Sequence, residues 1–241
     1  MSDSNATTVN AAPHHHDSAL LEQFDTLEQQ KDVSQFGMWV FLVTEIMFFG
    51  GLFAAYLIYR NLYNPAFVIA SSSIDVKLGA INTAVLICSS LTMAMAVHSA
   101  ALGARKLLIL FLVATLGLGA VFLGIKGVEY HQKWVEHHVP GANFDFNYER
   151  AEKGEVLAPA DVASQTSIFF ALYFAMTGMH ALHMIIGAGM LLALIWHAYR
   201  GAYPPHHYTM IENFGLYWHF VDIIWIFLFP LLYLVSRSPV H

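Results

Sequence analysis

Six ionisable side chains sit inside stretches that are otherwise almost wholly apolar: Glu45, His98, His180, His183, His219 and Asp222. A carboxylate in the middle of an apolar helix costs on the order of 2.5–3.5 kcal/mol on insertion scales, so such groups face a bundle interior and find partners. Glu45, in Val43-Thr44-Glu45-Ile46-Met47-Phe48-Phe49, could relay protons, touch a lipid headgroup, or pin two helices through a hydrogen bond. Trp218, Asp222 and Trp225 are spaced to share one helical face, and His219 lies three residues before Asp222. A His–Asp pair at that spacing can share a proton or orient an imidazole towards a neighbouring helix; a purely structural pair is the alternative. The aromatic residues around it predict that this end of the helix lies near the membrane interface.

Gly178-Met179-His180-Ala181-Leu182-His183 places two histidines one turn apart. The spacing is compatible with a metal site, but zinc or haem needs further ligands. His98 and His219 are the partners to consider. Two buried histidines hydrogen-bonded across helices, or to a lipid phosphate, are the other reading. Glu129 follows Lys126 by three residues, which predicts an exposed ion pair of little energetic weight at the interface. The chain has one cysteine, Cys88, so neither a disulfide framework nor a thiolate metal cluster is expected. Glycine-rich phosphate cradles, nucleophile elbows and Cys/His zinc spacings are absent from the sequence.

The elements that position these residues follow from composition and length. Of the 241 residues 57% are apolar and 12% charged, and the mean hydropathy is +0.52. Soluble domains average about 25% charged, so the chain reads as an integral membrane protein. Apolar stretches of about 20 residues mark spans, and five occur: about 37–59, 78–103, 107–125, 166–196 and 214–235. Ala104-Arg105-Lys106 alone separates the second and third, which forces an antiparallel hairpin. Residues 126–165 form the one long polar segment and are expected to be a surface loop. The predicted fold is all-α: five transmembrane helices (residues 36–241), an acidic N-terminal tail (residues 1–35), and a long polar loop between helices 3 and 4. Helices are required because backbone polar groups in lipid must be satisfied within each segment.

Residues 1–35 carry a net charge of −5. Such a tail repels nucleic acid and anionic lipid, and it lacks the basic and apolar regions of a signal peptide. Four Lys and Arg share a side with the N-terminus and seven lie on the other, a count that nominally places the N-terminus outside.

Several segments resemble subunit III of the haem-copper respiratory oxidases. Thr44 to Phe53 is similar to that family's glutamate-bearing helix, and Ile81-Asn82-Thr83 resembles its Asn-Thr helix start. Leu216-Tyr217-Trp218-His219-Phe220-Val221-Asp222-Ile223-Ile224-Trp225 is close to its most specific signature, and Gly178 to His183 matches its two-histidine helix. Glu129-Tyr130 and His206-His207 also fall where the family places them. The resemblance spans Phe36 to Val235, apart from an insert around residues 135–161. There are two departures. Five spans replace seven, as in the shorter bacterial form. The family's Trp-Ala-His-His reads Ala96-Val97-His98-Ser99, so one histidine carries over.

The resemblance implies a subunit of a cytochrome c oxidase that itself holds no haem or copper, those lying in partner subunits I and II. It implies phospholipid binding and support of proton uptake by the catalytic subunit. A larger respiratory supercomplex is a further partner on this reading. Glu45 would be the buried carboxylate near the partner. His183 and Arg200 match positions that contact lipid phosphates. His98, His180, Glu129, Trp218, His219, Asp222 and Trp225 would bind lipid or fix helices to one another. The location implied is the bacterial cytoplasmic membrane, with the N-terminus cytoplasmic and the C-terminus periplasmic. A partner of a quinol oxidase or nitric oxide reductase is the alternative within the family. From other classes, a b-type cytochrome would use His98, His180, His183 and His219, and a small proton transporter would use Glu45 and Asp222.

Overall fold

The computed structural model describes residues 24, 26–136, 138–140, 159–201 and 208–234. In chain order the helices are α1 (Leu27–Leu62), α2 (Asn64–Ser72), α3 (Val76–Ala101), α4 (Arg105–Val135), α5 (Pro159–Arg200) and α6 (Thr209–Tyr233). No strand occurs among the described residues. All but α2 are long and apolar enough to cross a membrane, which agrees with the expected five-span bundle. Because the connections alternate sides, the starts of α1, α4 and α6 and the ends of α3 and α5 share one face.

Local chemistry sets the helix ends. The Thr26 hydroxyl accepts from the Gln29 amide at 3.1 Å at the start of α1. The Asp75 carboxylate accepts from Lys77 and Leu78 amides at the start of α3. Gly103 follows the end of α3 and Gly201 the end of α5, with φ of 67° and 77°; glycine enters this left-handed region without Cβ strain. Arg105, at the start of α4, donates from Nε to the Ala198 carbonyl at 2.8 Å, which also accepts from the Gly201 amide, and to the Tyr199 carbonyl, capping the end of α5.

Helix α6 is the centre of the bundle: 56% of its most apolar window is buried, against 17% for α1. Trp218 reaches three neighbouring helices. Its indole lies where a Cβ on Gly119 of α4 or Gly187 of α5 would meet it at 3.1 and 3.0 Å. Its Nε1 donates to Ser89 Oγ of α3 at 3.0 Å. Trp225 does the same one level along, donating to Thr83 Oγ1 at 3.1 Å and packing against Phe122 and His180.

Several boundaries differ from expectation. α1 starts at Leu27 and not near Gly37, so the polar residues 27–35 are its first turns. α4 runs to Val135 and α5 starts at Pro159, so both ends of the expected 126–165 loop are helical. The short α2 was not expected; it opens with proline at its second position, where the missing amide costs nothing. The N-terminal tail before residue 24, most of the 135–161 insert and His206-His207 lie outside the described residues.

Candidate functional site

A cleft of about 750 Å³ runs between α1, α5 and α6. Its walls are largely apolar, with Met38, Phe41, Ile186 and Met190 among them, and Glu45 and His183 lie together in its lining. His183 sits near the middle of α5, where its Nδ1–H donates to the Met179 carbonyl at 2.9 Å. That bond commits one ring nitrogen as a donor. The other, Nε2, lies 3.2 Å from Glu45 Oε2. Carboxyl oxygen and imidazole nitrogen are thus within hydrogen-bond distance, and such a bond requires a proton on one of the two atoms. Tyr217 Oη of α6 donates to the His183 carbonyl at 2.8 Å, completing the α1–α5–α6 junction.

The polar end of the cleft lies on the N-terminal face. Asn213 Nδ2 donates to Ser34 Oγ at 2.8 Å, and Lys31 pairs with Glu212 at 3.7 Å. Arg200, at the end of α5 on the same face, is exposed and places its guanidinium 4.5 Å from the centre of the Trp196 ring. A cleft with apolar walls and Lys31 at its rim has the chemistry to accept an anionic amphiphile.

The two histidines of the His-x-x-His segment part company. His180 is buried, donates from Nε2 to the Val221 carbonyl at 3.1 Å, and packs on Phe122 and Trp225. His183 turns the other way, to Glu45. His98 is exposed near the end of α3. Among the described residues, no three His, Cys, Asp or Glu side chains converge as a metal site would require.

Two expectations about α6 need correction. His219 does not pair with Asp222; its Nδ1 bonds Ser90 Oγ of α3 at 2.7 Å. The tight α3–α6 packing brings that hydroxyl nearer than the intrahelical carboxylate. Trp218 and Trp225 are not interfacial: both are enclosed by four helices, at 1% and 0% exposure.

The largest revision concerns Glu129. Lys126 and Glu129 are each 3% exposed and form a closed polar cluster inside the bundle. Lys126 Nζ donates to Glu129 Oε2 at 3.0 Å and to Tyr233 Oη at 2.7 Å. Tyr173 and Tyr233 each donate to Glu129 Oε1 at 2.6 Å. Lys126 also lies 4.9 Å above the Trp225 ring. The cluster joins α4, α5 and α6, and Lys133, one turn further, donates to the Ser73 carbonyl at the end of α2 and to Glu136. Sequence reasoning missed Tyr173 and Tyr233 altogether. A signal was present: the buried stripe at Leu108, Leu112, Thr115, Gly119 and Phe122 continues in register through Lys126, Glu129 and Lys133.

Comparison with known proteins agrees with this geometry. The family model for cytochrome c oxidase subunit III matches residues 19–145 and 154–237. The chain is 32% identical to the cytochrome c oxidase subunit 3 of Thermostichus vulcanus, over 88% of this chain and 92% of the relative. It is 31% identical to the quinol oxidase subunit 3 of Bacillus spizizenii, over 83% of this chain and 86% of the relative. The subunit 3 of Gallus gallus cytochrome c oxidase is 30% identical, over 83% of this chain but 68% of the relative. A polar pair on a membrane cleft, a tryptophan-bearing central helix and these matches lead to one assignment: the chain belongs to the cytochrome c oxidase subunit III family of the haem-copper oxidases.

Proposed function

We propose that the chain is a non-redox subunit of a bacterial cytochrome c oxidase, which packs against the catalytic subunit I near subunit II, binds phospholipid and sustains proton uptake by the catalytic subunit. The observation that carries this reading is the Glu45–His183 pair on the wall of the α1–α5–α6 cleft. A hydrogen-bonded carboxyl–imidazole pair beside an apolar cleft is suited to passing a proton where acyl chains and a partner protein meet. In this reading the cleft takes the chains of a phospholipid, while Lys31 at its rim and Arg200, at the end of α5 on the same face, take the phosphate; arginine suits that anion through its planar fork. The Glu129 cluster and the two tryptophans hold the bundle rigid behind the cleft. The subunit lies in the bacterial cytoplasmic membrane with its N-terminus in the cytoplasm. Haem and copper belong to subunits I and II.

Purification in mild detergent, followed by identification of the co-purifying chains, tests the assignment: an oxidase catalytic subunit is expected, and its absence defeats the proposal. In the complex so obtained, Glu45→Ala is expected to leave initial turnover nearly unchanged. Activity should then decline faster over many turnovers, or fewer protons should move per electron. Unaltered kinetics and coupling over many turnovers would reduce Glu45 to a packing residue.

A further inference from the structure

A second cleft, of about 360 Å³, opens between α3 and α6. Most of its lining is aliphatic, with Leu86, Leu91, Ile223 and Ile226 among it, and its polar groups are Ser90, His219 and Asp222. Asp222 is 3% exposed, and the Ser90 hydroxyl is the one donor beside its carboxyl among the described residues. That hydroxyl is shared with His219 Nδ1, 2.7 Å away, so at least one carboxyl oxygen is left without a donor. The rest of the lining is hydrocarbon and carries no side-chain N–H or O–H group. A carboxyl in that position, with one shared hydroxyl for its two oxygens, needs a further donor, because nothing in hydrocarbon replaces water as its partner.

The source of that donor is narrowed by depth. Asp222 lies near the middle of α6, within Thr209–Tyr233. Headgroups lie at the two membrane surfaces, and at mid-depth a lipid offers only acyl chains. A donor at that level has to be carried by another membrane helix, where Ser, Thr, Asn, Gln or a basic residue makes such contacts. The mouth of the cleft suits a helix. Ile87 and Leu91 on α3 and Ile223 and Ile226 on α6 are 45–64% exposed and form two aliphatic ridges with the carboxyl between them.

We propose that the α3–α6 cleft seats a transmembrane helix of a partner subunit, which places one hydrogen-bond-donating side chain against Asp222. The site is distinct from the Glu45 cleft, to which α1 and α5 contribute. The inference rests on the reading that this chain works inside an oxidase complex, and its test separates the two. A photoreactive phenylalanine analogue is placed at Ile226, or separately at Leu91, in the chain with native Asp222, and the assembled complex is irradiated. A covalent product with another polypeptide of the oxidase is expected from both positions. Adding Asp222→Leu should reduce that product about 5- to 30-fold, the loss expected for one membrane hydrogen bond, and Asp222→Asn, which keeps an acceptor oxygen, should restore most of it. Adducts with lipid alone, or with nothing, in a complex that contains the catalytic subunit overturn the docking site and leave the assembly intact. A product insensitive to Asp222→Leu overturns the role of the carboxyl. Failure of any oxidase subunit to co-purify with the unmodified chain defeats the assembly reading, and the docking site with it. Should Asp222→Leu not fold, the two probes beside native Asp222 still decide.

Discussion

Glu129 and Lys126 look equivalent as partners in one ion pair, yet their surroundings make them unequal. Glu129 accepts from Tyr173 and Tyr233 as well as from Lys126, whereas Glu129 is the one carboxylate among the described residues that Lys126 touches. Removing the lysine leaves a carboxylate with two phenolic donors; removing the glutamate leaves a buried ammonium with only neutral oxygens and ring faces. Glu129→Ala is therefore expected to destabilise the bundle by about 3–5 kcal/mol, and Lys126→Met by about half as much. The double variant should cost less than the sum of the two, because the uncompensated charge is gone. Equilibrium unfolding in mixed micelles measures all three, and equal losses from the two single variants would contradict the asymmetry. This cluster was hidden from sequence reasoning because two of its four members are tyrosines on other helices, which no local spacing connects to Lys126. Glu45 and the histidines were legible as residues that need partners. Which partner each took depended on helix rotation, and so His183 found Glu45 while His219 found Ser90.

At the level of the element, close packing follows the contacts of α6 and not the small-residue pattern. Gly50/Ala54, Gly51/Ala55, Ala120/Gly124 and Gly189/Ala193 have the four-residue spacing that permits helices to approach. A Cβ on Gly50, Gly51, Gly124 or Gly189 would nevertheless meet nothing within 4 Å. Gly119 and Gly187, which stand in none of those pairs, receive the two sides of the Trp218 indole. Gly119→Ala and Gly187→Ala are each expected to cost about 1–3 kcal/mol through overpacking against a ring that three helices hold in place. Gly124→Ala and Gly189→Ala should be neutral, or gain up to about 1 kcal/mol of helix propensity. Fluorescence-monitored unfolding of the four variants checks the contrast, and a loss at Gly124 equal to that at Gly119 would refute it. The spans themselves were readable because hydrocarbon length and hydropathy set them directly. Their ends were not, since Lys126, Glu129 and Lys133 read as polar residues leaving the membrane when they are polar residues entering the bundle.

The same burial bears on how the whole molecule sits in the membrane. Counting every Lys and Arg gives four on the N-terminal face and seven on the other, against a cytoplasmic N-terminus. Lys126 and Lys133 belong to the seven, but each is 3% exposed and already paired inside the protein. A cation neutralised within the bundle is not a flanking charge of the kind that sets topology. Arg150 and Lys153 stand in a connection short enough for their charges to count. Without the two buried lysines, Arg60, Lys77, Arg150, Lys153 and Arg237 remain on the far face against Lys31, Arg105, Lys106 and Arg200 on the near one. The excess against the proposed cytoplasmic N-terminus thus narrows from three charges to one. The near-face charges also lie close to the membrane surface: Arg105 opens α4, Lys106 follows it, and Arg200 closes α5. The margin is one charge, so it is open to experiment. A phosphatase reporter active only in the periplasm should be silent when fused before residue 24 and active when fused after His241. Arg105 and Lys106 carry the decision, because they sit together in the shortest connection between spans. Replacing both by Gln should yield a mixed population in which some N-terminal fusions become active, whereas Lys126→Gln with Lys133→Gln should leave the orientation unchanged. If the Lys126 and Lys133 substitutions instead inverted the chain, those lysines would be acting on topology before the bundle closes over them.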